Sequence, residues 1–312
     1  MKNKRQSSRY AKGPAGKAGF STRNTDTRAD NQTAFRNSDK RGQDKRQQEK
    51  PGQDKRGKER RGRSTRGKAK PDRVYLYGMH TVRAALENQA REKYRLHATE
   101  NALGRLNIDP ALIDALEIVP AETGGLGRLV GGEAVHQGVV LEAAPLPAIN
   151  IENMEQKPLV LVLDQITDPH NVGAILRTAV AMDAGAVIST ARNSALESGV
   201  LAKSASGAVD MIDHIQIGNL ARAIERLSDQ GYFCIGLDSE GPAPLEETFA
   251  QAPNDGRFIA LVLGAEGQGL RKKTRETCNA LARLDMPGVI KSLNVSNAAA
   301  ISLYAARKYL DK

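Results

Sequence analysis

The run Leu159-Val160-Leu161-Val162-Leu163-Asp164 constrains the fold of this 312-residue chain more than any other stretch. It lacks the in-out alternation of a half-buried strand, so it predicts a strand covered on both faces, as in parallel sheets. Similar runs recur at residues 186–190, 232–238, 258–264 and 280–286, and helical patterns separate most of them. Alternation of this kind predicts an α/β fold with a doubly wound parallel sheet, whose ligand sites lie beyond the carboxyl ends of the strands.

The first helix of that unit is marked at both ends. Asp168 is placed to cap it, Pro169 takes the favoured first position, and Gly185 stands where a glycine stop is expected. Val172, Ile175, Leu176, Ala179 and Val180 form its apolar stripe, which leaves Gly173, Ala174, Arg177 and Ala181 on a neighbouring face. Arg177 reads either as a solvated helix arginine or as a functional cation on a face small enough for close approach.

Upstream, Tyr75-Leu76-Tyr77-Gly78 followed by an amphipathic run to Asn88 predicts strand, turn and helix. Strands are expected at 94–98, 117–120 and 139–143, and a helix at 110–116, which makes a small α/β domain over residues 73–146. Residues 145–157, with prolines at 145 and 147 and a third just beyond at 158, read as a linker to the larger domain at 157–312. Before Val74 there is no Val, Ile or Leu at all. Residues 1–72 therefore cannot offset the entropy of ordering and read as a disordered tail. Residues 1–70 hold 23 basic and 7 acidic side chains, whereas the remainder holds 23 basic and 29 acidic. Such an arm suits a polyanion, or else merely solvates the chain. Its near-repeats at 42–46 and 52–56 are low-complexity sequence. An apolar secretory core and a membrane-length run are both missing, so a cytoplasmic protein with no membrane partner is expected. Cys234 and Cys278 read as ordinary thiols, the five histidines are scattered, and no metal site is expected.

Three segments have the composition of a site. Asn171 and Arg177 stand on the helix described above. In Leu261-Val262-Leu263-Gly264-Ala265-Glu266-Gly267-Gln268-Gly269 a buried strand runs directly into three glycines, which permit positive φ and close backbone approach to a ligand. The spacing is neither a P-loop nor a dinucleotide fingerprint. In the third, residues 284–300, a strand and a Pro-Gly break precede Ser292, Leu293, Asn294 and Val295 and then an alanine-rich helix. Ser292 or Asn294 is expected to cap that helix. Polar and apolar side chains interleaved in this way suit a ligand with an apolar body and a polar edge.

These segments, in this order and spacing, closely resemble the three signature motifs of the SpoU (TrmH) family of SPOUT methyltransferases, over about residues 157–309. Residues 77–82 and 136–140 are similar to the RNA substrate-binding domain that precedes the catalytic domain in the 23S rRNA guanosine-2'-O-methyltransferases of that family. The resemblance implies a trefoil knot near the C-terminus, S-adenosylmethionine as cofactor, a homodimer with shared active sites, and methylation of a ribose 2'-hydroxyl, here of a 23S rRNA guanosine. The same reaction on tRNA or another rRNA site, or a non-catalytic ribosome-assembly factor, are the alternatives. By the same resemblance the catalytic residues are Arg177, Asn171, Glu266, Ser292 and Asn294, and the cofactor contacts are Gly264, Leu284, Met286 and Leu293. Asp285, in place of a usual proline, and Asn297, in place of an apolar residue, depart from the pattern. His80 and His136 read as structural histidines, with function as the alternative.

Overall fold

The computed structural model describes residues 72–312 apart from 115, 193, 194, 196 and 254–256. The expected tail, up to residue 71, lies outside the described residues. The first sheet is built from β1 (Val74–Tyr77), α1 (Met79–Glu87), β2 (Lys93–Ala98), α2 (Glu100–Leu106), β3 (Glu117–Pro120), α3 (Thr123–Val130) and β4 (Val139–Ala143). Its strand order is β1-β4-β2-β3, with β4 antiparallel to both neighbours and β2 parallel to β3. β4 is buried along its whole length, as its central position requires.

The helix expected at 110–116 is absent. Pro110–Leu112 makes one 3-10 turn capped by Asp109, none of its residues is buried, and the chain enters β3 five residues later. Ile113 and Leu116 pack on the core only partly buried, and so short a helical turn gains too little from that to offset its nucleation. The helices lie on either side. Thr99 caps α2 by accepting from the Ala102 amide. Thr123–Val130 is helical despite three glycines, with Leu126 buried beneath it.

The second sheet comprises β5 (Leu159–Asp164), α4 (Pro169–Ala181), β6 (Ala186–Thr190), α5 (Gly199–Ala205), β7 (Asp213–Ile217), α6 (Leu220–Asp229), β8 (Phe233–Leu237), β9 (Ala243–Pro244), α7 (Leu245–Thr248), β10 (Ile259–Gly264), α8 (Lys272–Thr277), β11 (Ala280–Arg283) and α9 (Val295–Leu310). Its order is β7-β6-β5-β10-β8-β11-β9, parallel throughout. Leu159, Leu161 and Leu163 share a core with Val172, Ile175, Leu176, Ala299 and Leu303 of α4 and α9. Val160 and Val162 pack on the opposite face with Ile224 and Leu227 of α6. Coverage of both faces is why β5 carries no alternation, and a Leu161→Ala cavity would cost about 2–5 kcal/mol. The chain crosses from β6 and β7 to β8, then inserts β10 between β5 and β8. The strand expected at 280–286 ends early, at Arg283, and residues 284–294 run irregularly into α9, which packs back on α4 and β10.

As expected, Asp168 accepts from the amides of His170 (3.2 Å) and Asn171 (3.3 Å) ahead of Pro169. Gly185, however, is not the stop. α4 ends at Ala181, and Asp183 adopts the left-handed conformation at φ 52. Gly185 instead donates to the Leu159 carbonyl at 2.8 Å, where a Cβ would come within 2.7 Å of Lys157 Cβ. It is a close-approach glycine.

The two sheets meet along α5. The Thr81 hydroxyl donates to the Ala202 carbonyl at 3.2 Å, and a Cβ at Gly199 would lie 2.4 Å from the Tyr75 carbonyl oxygen. Arg91, with its side chain fully buried, pairs with Asp210 and with Glu197 (2.7 Å). Burial pushes the Cys234 thiol up to about 11 and the Cys278 thiol to about 12, so both are protonated at neutral pH.

Candidate active site

Beyond the carboxyl ends of β8, β10 and β11 lies a cleft of about 350 Å³. Leu237, Leu263, Leu284, Met286, Leu293 and Ala298 give it apolar walls, and Gly264, Glu266 and Ser292 stand among them. All four expected cofactor residues, Gly264, Leu284, Met286 and Leu293, thus line one cavity. The cleft lies beyond the carboxyl ends of parallel strands, where open α/β sheets place their ligand sites.

The loop after β10 is shaped by its glycines. It folds back so tightly that a Cβ on Gly264 would sit 2.1 Å from the Gly269 carbonyl carbon. Ala265 and Gly269 form an isolated bridge, and Gly267 and Gly269 have φ of 76 and 64. Asp164, fully buried at the end of β5, anchors the far side of the loop. It accepts from the Arg271 amide (3.0 Å) and from Arg271 Nε (2.6 Å).

The start of α9 joins the three sequence segments. Asn294 caps it, its Oδ1 accepting from the Ser296 amide at 2.9 Å and from the Ser296 hydroxyl at 2.6 Å. Its Nδ2 donates to Asn171 Oδ1 at 3.0 Å. The Val295 amide donates to Glu266 Oε1 at 3.0 Å. A side chain from α4, one from the β10 loop and one from the α9 cap therefore meet, with Ser292 two residues upstream on the cleft wall. The amide and carboxylate oxygens gathered here keep further acceptor capacity, suited to positioning a nucleotide's polar edge.

Arg177 stands apart. It is exposed, lies about 9 Å further along α4 than Asn171 at 1.5 Å rise per residue, and does not line the cleft. Among the described residues it has no hydrogen-bond or ion-pair partner. Ser292 is exposed and does not cap the helix, so of the two candidates Asn294 does so.

Sequence reasoning missed Leu237, Asp238 and Ser239, which complete the cleft from β8. Their signal was position alone, at the carboxyl end of a buried strand. Asp238 is already held, by Arg275 at 3.1 Å and by the Glu240 amide at 2.9 Å. Asp285 pairs with Arg283 at 2.9 Å, and that guanidinium also reaches the carbonyls of Gly241 and Pro242. This clamp on the β9 edge occupies the place of the usual proline. His136 is buried, its Nδ1 accepting from the Gly138 amide at 3.1 Å, while His80 is exposed. No cluster of three or more potential metal ligands occurs among the described residues. No described helix is long and apolar enough to cross a membrane.

A parallel sheet with β10 inserted beside β5, a cleft at three strand ends and a helix cap that ties the three segments together agree with the resemblance to methyltransferases of the SPOUT class, and the comparisons with known proteins place the chain there. Residues 158–304 match the model of the SpoU rRNA Methylase family. The chain is 39% identical over 239 residues to the 23S rRNA (guanosine-2'-O-)-methyltransferase RlmB of Ralstonia nicotianae, a match covering 74% of this chain and 94% of the relative. The RlmB of Pseudomonas putida is 36% identical over 241 residues, covering 74% and 94%. The chain belongs to the SpoU rRNA methylase family. Among solved structures, an AdoMet-bound rRNA methyltransferase from Sinorhizobium meliloti superposes with a TM-score of 0.64 at 20% identity, covering 77% of this chain and 88% of that one. AviRb from Streptomyces viridochromogenes, in complex with AdoMet, gives 0.62 at 19%, covering 76% and 90%. At these identities the likeness is one of fold.

Proposed function

We propose that the chain transfers a methyl group from S-adenosylmethionine to the ribose 2'-hydroxyl of a guanosine in 23S rRNA. The observation that carries this reading is the meeting of Asn171, Glu266 and Asn294 at the edge of a cleft lined by Gly264, Leu284, Met286 and Leu293. The cleft fits the cofactor's chemistry, with apolar side chains for a thioether and an adenine face, and backbone at Gly264 and Leu284 for their polar edges. When bound, S-adenosylmethionine supplies a methyl already activated by its sulfonium.

The protein's task is to align a poor nucleophile and ease loss of its proton. Asn171 and Asn294 orient each other and, with Glu266 and Ser292, hold the nucleotide. A guanidinium with a pKa above about 12 is a poor base, so Arg177 serves to hold a phosphate and to stabilise the alkoxide as the proton leaves. Since Arg177 lies outside its own chain's cleft, the reading includes a homodimer in which the arginine completes the partner's site. Ile301 and Tyr304, exposed one turn apart on α9, and Val289 and Ile290, exposed on the loop before it, are the apolar surface such a dimer would cover. Residues 73–146 act as the RNA-binding domain, residues 157–312 as the catalytic domain, and the basic tail as a non-specific RNA arm. The substrate puts the reaction in the cytoplasm.

Nucleoside mass spectrometry after incubation with 23S rRNA and cofactor tests this directly. The expected product is 2'-O-methylguanosine. A methylated base, a different ribose or no product on any RNA would overturn the assignment.

A further inference from the structure

The two upstream segments singled out in the sequence, around Gly78 and around Gln137, come together at the seam between the sheets. Gln137 Oε1 accepts from the Met79 amide and from Lys203 Nζ of α5, both at 3.0 Å, and both bonds lie at the surface. The backbone is shaped to this arrangement. Gly78 has a φ of 91 and a Cβ there would fall 2.4 Å from Lys203 Nζ, while Gln137 holds a left-handed φ of 58 that a non-glycine adopts at a cost. Burial pushes the Lys203 ammonium below its usual range, and among the described residues no carboxylate opposes it. An ammonium held by a neutral amide keeps its charge available to an outside anion, whereas a carboxylate at position 137 would neutralise it.

The surroundings indicate which anion could reach it. Ser204, the next residue on α5, hydrogen-bonds the exposed His170 ring at 3.0 Å, and His170 directly precedes Asn171 of the catalytic node. His80 is exposed on the first turn of α1, on the other side of the seam. Lys203 therefore sits between the first sheet and the start of α4, where Asn171 meets Asn294, on the path a strand of RNA takes if it contacts both. We infer that Lys203, presented by Gln137 and Gly78, is a binding site for one phosphate of the RNA backbone where the substrate crosses from the first domain to the catalytic cleft. This rests on the proposed RNA methyltransferase activity and adds a residue outside the three signature segments.

Two variants separate a phosphate site from a structural tie. Lys203→Met removes the charge and keeps the stem. Gln137→Glu places a carboxylate against Lys203, which strengthens a tie but competes with a phosphate. Full-length variants are titrated with a 23S rRNA fragment over a range of salt concentrations, with S-adenosylmethionine affinity and thermal unfolding measured alongside. Both variants should bind RNA about 10- to 100-fold more weakly, as expected when one charged hydrogen bond is removed. Lys203→Met should reduce the slope of log K against log salt by roughly 0.7–0.9, while Lys203→Arg keeps it. Cofactor affinity should not change. Gln137→Glu binding RNA as well as the wild type, or Lys203→Met keeping the wild-type slope, overturns the phosphate site and leaves the methyltransferase reading standing. A wild-type protein that neither binds nor methylates 23S rRNA overturns that reading and the site with it.

Discussion

Asn294 performs two tasks with one side chain, and two substitutions separate them. Its Oδ1 caps α9 through the Ser296 amide, and its Nδ2 donates to Asn171 Oδ1, 123 residues away in sequence. Asn294→Ala removes both. Loss of the cap costs about 1 kcal/mol, and loss of an exposed amide–amide bond about another 1 kcal/mol. At about 2–4 °C per kcal/mol for a folded unit of this size, the melting temperature should fall by about 4–8 °C. Asn294→Ser keeps a good capping oxygen but is too short to reach Asn171, so its melting temperature should fall by about half as much. With Asn171 left unpaired in both variants, their methyl-transfer rates at saturating cofactor should drop alike, by about tenfold to a hundredfold. Differential scanning calorimetry and single-turnover methylation of an rRNA fragment supply the two readings. If the serine variant reacts at the wild-type rate, Asn294 only caps. If the alanine variant melts with the wild type, the capping account itself fails.

Arg177→Ala should leave folding and cofactor affinity intact, since the side chain is exposed and outside the cleft, while the rate falls by about 10² to 10³ or more; a near wild-type rate would return Arg177 to a solvated surface residue. Mixing Arg177→Ala with Glu266→Ala should restore part of the activity if each site draws its arginine from a second copy, and sedimentation should report the dimer. Gly264→Ala drives a Cβ into the Gly269 backbone and should weaken cofactor binding about 5- to 150-fold, the equivalent of about 1–3 kcal/mol of overpacking; Gly288→Ala, which meets nothing within 4 Å, is the calorimetric control. Deleting residues 1–70 should weaken RNA binding and flatten its salt dependence by roughly 0.7–0.9 for each phosphate the arm no longer neutralises, with cofactor binding unchanged.

Much of the catalytic unit was legible from local pattern. β5 and β6 follow from runs that only a doubly covered strand tolerates, and the start of α4 from the Asp168-Pro169 pair, because strand burial and helix capping act within a few residues. Edge elements escaped. β7 buries only Ile215 fully and its sequence carries no continuous apolar run, and α3 is a helix with three glycines whose order depends on Leu126 reaching the core. Gly185 has the position of a helix stop, yet its lack of a side chain answers Lys157, which arrives from the linker. The site divides in the same way. Its residue types were apparent in three segments, and the cap of α9 is a local bond from Asn294 to Ser296, but that Asn294 meets Asn171 and that Leu237 to Ser239 close the cleft depend on β10 lying between β5 and β8. Contacts between residues more than a hundred positions apart leave no periodic trace, since each partner's local conformation is satisfied without the other. The fold brings them together through burial of the sheet, and the chemistry follows from that register.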